Sequence, residues 1–353
     1  MATAFLDSAQ TAVEQAIQRN LKGLGYLASP APVLGASAKD VIVNRGPMRL
    51  YHYHPLTDEV YRVPVLLVMA TTNRGYIFDM VPGQSLVEFL LLRGYDVFML
   101  DWEAPRAEDR GLGLKDYVED FVGSAISEVQ RTTGESDVSL VGYCMGGVLS
   151  VLWSGLNHSK GPKNLAVFTT PVDFQAMTLF RAWSDPKYFD VDRLVDTLGM
   201  APAEMLLTAF DMLRPAGRTS ANFALLDNLW NEEFVKGHRM FDRWSNDMLP
   251  LAGEYFRETT KQLVWDNALL NGTLKIGGRP VELGKITAPF LHVTAEHDHI
   301  VTTGASAPLI GLIGSDSKEQ VVLKGGHVSL IAGPNAVKRM WPRLDQWLGA
   351  KST

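Results

Sequence analysis

The chain has 353 residues, 46% hydrophobic and 20% charged, with a net charge of -6 at neutral pH, the composition of a soluble globular protein with room for one large core and an accessory lobe. The acidic balance argues against nucleic acid as a main partner. A single cysteine excludes an internal disulfide framework and a Cys-rich zinc site, and a free thiol fits the reducing cytoplasm.

In chain order, the apolar positions Phe5, Ala9, Val13, Ile17, Leu21 and Leu24 recur at helical spacing, which predicts an amphipathic N-terminal helix docked on its own domain. The first residues lack the basic start and continuous apolar core of a secretory signal, and no stretch approaches the ~20 apolar residues of a membrane span. Val41-Ile42-Val43 and Leu50 to His54 then read as a leading hairpin. His52 and His54 share one strand face, but no further metal ligand lies near them in sequence.

From Val63 the pattern becomes strand, helix, strand. Val65 to Met69, Asp96 to Leu100, Val138 to Val141 and Leu165 to Phe168 are nearly continuous apolar runs, as in a parallel sheet covered on both faces. The pattern returns at Phe290 to Val293 and Gln320 to Leu323, followed by a helix from about Ala336 to Leu348. The expected organisation is an N-terminal helix and connector over 1–40, an α/β core over 41–174 and 286–353, and an all-helical cap over 175–285. The cap interrupts the core between the sixth and seventh strands. Its apolar stripe includes Leu206, Phe210, Met212, Leu213, Leu225 and Leu226, and its aromatic residues Trp183, Trp230, Phe234, Trp244, Tyr255 and Phe256 are candidates to line an apolar channel.

The third apolar run ends in Val141-Gly142-Tyr143-Cys144-Met145-Gly146-Gly147. A strand that turns sharply into a helix strains its tip residue, so the positions two before and two after need almost no side chain, here Gly142 and Gly146. This is a nucleophile elbow carrying sulfur. It exposes Cys144 at the top of the sheet and aims the Met145 N–H toward a developing oxyanion. A thiol of ordinary pKa is only slightly ionised at neutral pH, so Cys144 needs a base, and the base needs an orienting acid. The order nucleophile, acid, histidine is that of an α/β-hydrolase. It selects Asp298, just past the strand ending at Val293, with Glu296 as rival, and His327 in Gly325-Gly326-His327. His297, Asp298 and His299 can also be read as a metal cluster, but an orienting aspartate explains them without an ion. A second oxyanion donor is expected from a backbone N–H of Thr72 or Asn73.

These residues together resemble the catalytic subunit of polyhydroxyalkanoate synthase, most closely the short types (class III or IV) that work with a second subunit. The resemblance runs from about Val41 to Leu348. It includes Asn73-Arg74 with Tyr76 and Asp79, Leu100-Asp101-Trp102, the elbow, and Thr170-Pro171-Val172-Asp173-Phe174. Val195 to Met200, Leu269 to Gly272, Asp298 to Val301 and Gly325-Gly326-His327 complete it. Two departures are visible: Gly75 stands where many members carry proline or a bulky residue, and Met145 where some carry glutamine or valine.

The resemblance implies a polymerase that takes (R)-3-hydroxyacyl-CoA, moves the acyl group to Cys144 and extends a growing polyester chain. CoA is then a product, and neither cofactor nor metal is expected. A second synthase subunit, oligomerisation and contact with a polymer granule surface are expected on the same basis. Some lysines or arginines must face the phosphates of CoA, with Arg74 and Arg106 as candidates. The rival readings are a thiol hydrolase resembling dienelactone hydrolase, an esterase or polyester depolymerase, and a non-catalytic binding subunit.

Overall fold

The computed structural model describes residues 2–30 and 33–352. Eight strands form one sheet: β1 (Lys39–Arg45), β2 (Met48–Tyr53), β3 (Val65–Val68), β4 (Val97–Trp102), β5 (Ser139–Tyr143), β6 (Asn164–Phe168), β7 (Phe290–Ala295) and β8 (Lys318–Leu323). Their order is β1-β2-β4-β3-β5-β6-β7-β8. The β1–β2 hairpin joins β4 antiparallel, and every later neighbour pair is parallel. Every residue of β3 to β7 is buried, as continuous apolar runs in a doubly covered sheet require. His52 of the hairpin stacks on Phe98 and bonds Asp96 at 2.7 Å, and His54 bonds Asp40 at 3.0 Å.

The N-terminal helix spans Ala2–Ala28, but it does not dock as expected. Val13, Ile17, Leu21 and Leu24 are all half or more exposed. The side bearing Gly23 docks instead: Gly23 is buried, and a Cβ added there would lie 2.4 Å from Leu229. Arg239 then ties down the helix end by donating to the carbonyl oxygens of Tyr26 and Ser29. Close backbone approach at a glycine, rather than the apolar stripe, sets this contact.

Between β6 and β7 the chain builds a cap with helices at Thr178–Trp183, Val191–Leu198, Ala203–Met212, Gly217–Asp227, Glu232–Asn246 and Gly253–Glu258. The cap is not all-helical. Met200–Ala201 pairs with Leu251–Ala252, and Lys275–Ile276 with Arg279–Pro280. Gly199, at φ 73°, ends one helix, and the prolines at 202 and 250 keep the flanking chain extended. In the second ladder Gly277-Gly278, at φ 55° and 80°, makes the tight turn that two positive φ values allow.

Candidate active site

Cys144 sits where β5 gives way to the helix Met145–Leu156, with φ 52° and ψ -120°. A non-glycine residue there is strained. The strain is held by neighbours that leave no room for side chains: a Cβ on Gly142 would lie 2.5 Å from Gly147 Cα, and one on Gly146 only 2.1 Å from the Val68 carbonyl oxygen. Gly147 belongs to the same packing, since its Cβ would meet Thr170 Oγ1 at 2.0 Å. Met145 is the first residue of the helix, so its N–H is among those without an intrahelical acceptor.

Asp298 and His327 come from the loops after β7 and β8. Both are buried, and His327 Nδ1 lies 2.7 Å from Asp298 Oδ2. The other carboxylate oxygen accepts from the N–H groups of Ile300 and Val301 at 2.8 and 2.9 Å. That fixes the acid before it meets the histidine. Glu296 and His297 are exposed, and the carboxylate of this loop that meets the imidazole is that of Asp298. Burial alone pushes the imidazole pKa down, but the electrostatic interaction with Cys144, the hydrogen bond and charge of Asp298, and a hydrogen bond with Cys144 outweigh it and raise the pKa to about 10. The ring of Tyr143 packs 5.1 Å from that of His327.

Cys144 and His327 open on one cavity of about 340 Å³, lined also by Thr72 and Asn73 from the loop after β3, by Leu207, Phe210, Trp244 and Met248 from the cap, and by Ile300 and Val328. At its rim Arg218 donates to Asp211 at 2.7 Å. Of the six cap aromatics expected to line a channel, only Trp244 does so. Tyr255 is buried against Tyr117, and Trp230 and Phe234 face solvent. Phe210 and Leu207, from a helical apolar stripe that sequence cannot distinguish from core, take that place with Met248, just past the end of the Glu232–Asn246 helix. Of the two arginine candidates, Arg74 is held by Glu103 at 2.7 Å and the Trp102 carbonyl at 3.0 Å, while Arg106 lies exposed beside Glu108.

Gly75, the visible departure in the loop after β3, has a local reason. Its N–H donates to the buried Asp101 at 2.7 Å, and a Cβ there would lie 2.7 Å from the Asp101 carboxyl carbon and 2.9 Å from Met99 Sδ. Burial raises the Asp101 pKa to about 6, against the N–H groups of Trp102 and Gly75 and the charge of Arg74, which hold it down.

A mostly parallel sheet in this order, with a strained turn after β5 and an acid and a histidine on the loops after β7 and β8, is the architecture of an α/β hydrolase. The family profile described as "alpha/beta hydrolase fold" matches residues 64–334, and that of the "Poly-beta-hydroxybutyrate polymerase (PhaC) N-terminus" matches residues 33–90. The poly(3-hydroxyalkanoate) polymerase subunit PhaC of Allochromatium vinosum is 33% identical over 90% of this chain and 90% of its own length. The PhaC subunit of Haloferax mediterranei is 30% identical over 90% of this chain, which spans 65% of that relative. The chain belongs to the poly(3-hydroxyalkanoate) polymerase family. A soluble variant of monoglyceride lipase from Saccharomyces cerevisiae shares the fold at TM-score 0.57 and 15% identity, with 92% of this chain and 100% of that chain covered. Among the described residues, no helix is long and apolar enough to cross a membrane.

Proposed function

We propose that this chain is the catalytic subunit of a polyhydroxyalkanoate polymerase that draws monomers from (R)-3-hydroxyacyl-CoA, with 3-hydroxybutyryl-CoA as the expected donor. The observation that carries this reading is a sulfur at a strained elbow sharing a capped, largely apolar cavity with an imidazole bonded to a buried carboxylate. The relatives' names, given for polymer synthesis, support it.

In this mechanism His327 takes the Cys144 proton, and the sulfur attacks the thioester carbonyl. The bond from that carbonyl to the CoA sulfur breaks, and CoA leaves as a thiol carrying the proton from His327. Exchange between two thioesters is nearly balanced, so the acyl group stays reactive toward an alcohol. The 3-hydroxyl of a second acyl unit then gives its proton to His327, forms the ester bond and returns Cys144 to its free state. Asp298 holds the imidazole in the orientation both steps need. The Met145 N–H and one from Thr72 or Asn73 meet the oxyanion. The cap keeps water from the thioester, since hydrolysis competes with elongation. No cofactor or metal takes part.

We further propose that the chain works in the cytoplasm with a second synthase subunit, as an oligomer, at the surface of a growing polyester granule. The decisive experiment is incubation with 3-hydroxybutyryl-CoA, with and without a co-purified partner. CoA release with insoluble polymer is the expected result. Release with free 3-hydroxybutyrate would make the protein a hydrolase, and silence in both arms would leave the binding-subunit reading.

A further inference from the structure

The loop after β3 is fastened to the end of the longest cap helix by a set of bonds that the mechanism above does not use. The Leu249 N–H donates to the Thr72 carbonyl at 2.8 Å, and Asn73 pairs with Met248 in an isolated antiparallel bridge. Trp244 Nε1–H donates to the Arg74 carbonyl at 2.9 Å, and the Tyr76 hydroxyl to Asp247 Oδ2 at 3.0 Å. From below, the core holds the same loop through the Gly75 N–H on Asp101 and the Arg74 side chain on the Trp102 carbonyl. Five consecutive residues, Thr72 to Tyr76, are therefore held between cap and core.

The peptide group is planar and trans, so its carbonyl and the following N–H point in opposite directions. The Arg74–Gly75 peptide displays this: its carbonyl meets Trp244 of the cap, and its N–H meets Asp101 of the core. By the same geometry, the Leu249 bond to the Thr72 carbonyl turns the Asn73 N–H away from the cap segment. Thr72 and Asn73 both line the cavity that holds Cys144. We infer that the segment 244–249 is a positioning element for this loop, with Trp244 and Asp247 as positioning residues that set the peptide presented to the acyl oxygen, and that Asn73 rather than Thr72 supplies its N–H.

The inference rests on the acyl-transfer reading for its effect on rate, but not for its effect on the loop itself. The segment 244–249 is tied to the core loop, whereas Thr178–Trp183 and Gly217–Asp227 carry no buried residue. An opening of the cap can thus move those helices and leave the donor in place.

The test uses the full chain carrying Trp244→Phe, which keeps an aromatic ring and deletes the indole donor, and beside it Asp247→Ala, which deletes the acceptor of the Tyr76 hydroxyl. Misplacing one oxyanion donor should lower kcat for CoA release from 3-hydroxybutyryl-CoA by roughly 10-fold or more, against the 10²- to 10³-fold of outright removal, with KM within about 2-fold. Alkylation of Cys144 by iodoacetamide should stay within about 2-fold of the parent, because the sulfur, imidazole and carboxylate are untouched. Amide exchange over residues 71–75 should accelerate by roughly 10-fold. Unchanged exchange in that loop, or an unchanged kcat beside faster exchange, overturns the inference. Equal losses of kcat and of thiol alkylation also overturn it, since the substitution would then have disturbed the whole site. If Trp244→Phe does not fold, Asp247→Ala carries the same readouts. Should the parent protein release no CoA at all, the functional reading fails while the exchange measurement still decides the tether.

Discussion

The central strands and the outer cap helices both carry large apolar side chains, and these end in opposite states. Every residue of β3 to β7 is buried, whereas Gly217–Asp227 buries none and Ala203–Met212 only Leu206. Leu179, Met212, Phe223 and Leu226 of the cap helices face solvent. Full burial of an aliphatic or aromatic side chain stabilises by about 1.5–3 kcal/mol, so the sheet is a stiff frame and the outer cap is held by little. The groups proposed to do the chemistry stand on the frame. The groups proposed to exclude water, Leu207 and Phe210, stand on the loosely held part. The comparison breaks if chemistry can be lost from the cap as completely as from the frame, or if the cap proves as costly to disturb as the sheet.

The largest effect is expected at the elbow. Cys144→Ala should lower CoA release by about 10⁴-fold or more while leaving the fold intact, because the side chain is half-buried and alanine tolerates the site as well as cysteine does. A variant with more than a tenth of parental polymer yield would remove sulfur from the mechanism.

Next comes the pairing of Asp298 with His327. Asp298→Asn should cost about 10²- to 10⁴-fold in turnover, because the wrong imidazole tautomer faces the sulfur. It should also flatten a pH effect on stability. The His327 pKa is raised from 6.5 to about 10 in the folded chain, so the stabilisation is fully present below pH 6.5 and is lost as pH rises toward 10. Thermal melts of the parent should therefore fall over that window. In Asp298→Asn the fall should shrink without vanishing, since the bond and charge of Asp298 are gone while the interaction with Cys144 remains. A parent melting curve flat between pH 6.5 and 10 would contradict the raised imidazole.

The frame was legible from sequence and the fastening of the cap was not, for a physical reason. An unbroken run such as Val65-Leu66-Leu67-Val68 has few alternatives to a doubly covered strand, and the glycines around Cys144 mark a turn whose tolerances are absolute. The bonds from Leu249 to Thr72 and from Trp244 to Arg74 end on backbone carbonyls. Every residue has such a carbonyl, so no residue type announces the contact. The N-terminal helix fails in the same way: its apolar stripe is plain in sequence, yet the face that docks is the one with Gly23. Gly277-Gly278 is different, because two adjacent glycines are a hairpin signal that the sequence does carry. The expectation of an all-helical cap passed over it.

The smallest effects come from a matched pair of truncations. Leu67→Ala in β3 removes a fully buried side chain and should cost about 2–5 kcal/mol by denaturant melt, the range for a leucine whose cavity only partly collapses. Phe223→Ala removes a larger side chain from the outer cap, where it is 64% exposed, and should stay within about 0.5 kcal/mol. If chain composition decided stability, the phenylalanine would be the costlier loss. If packing decides it, the order reverses, and the outer cap can be altered without cost to the frame beneath. A loss above about 2 kcal/mol at Phe223, on a par with a core truncation, would mean that this face is covered in solution and that the contrast between frame and cap belongs to the single chain alone.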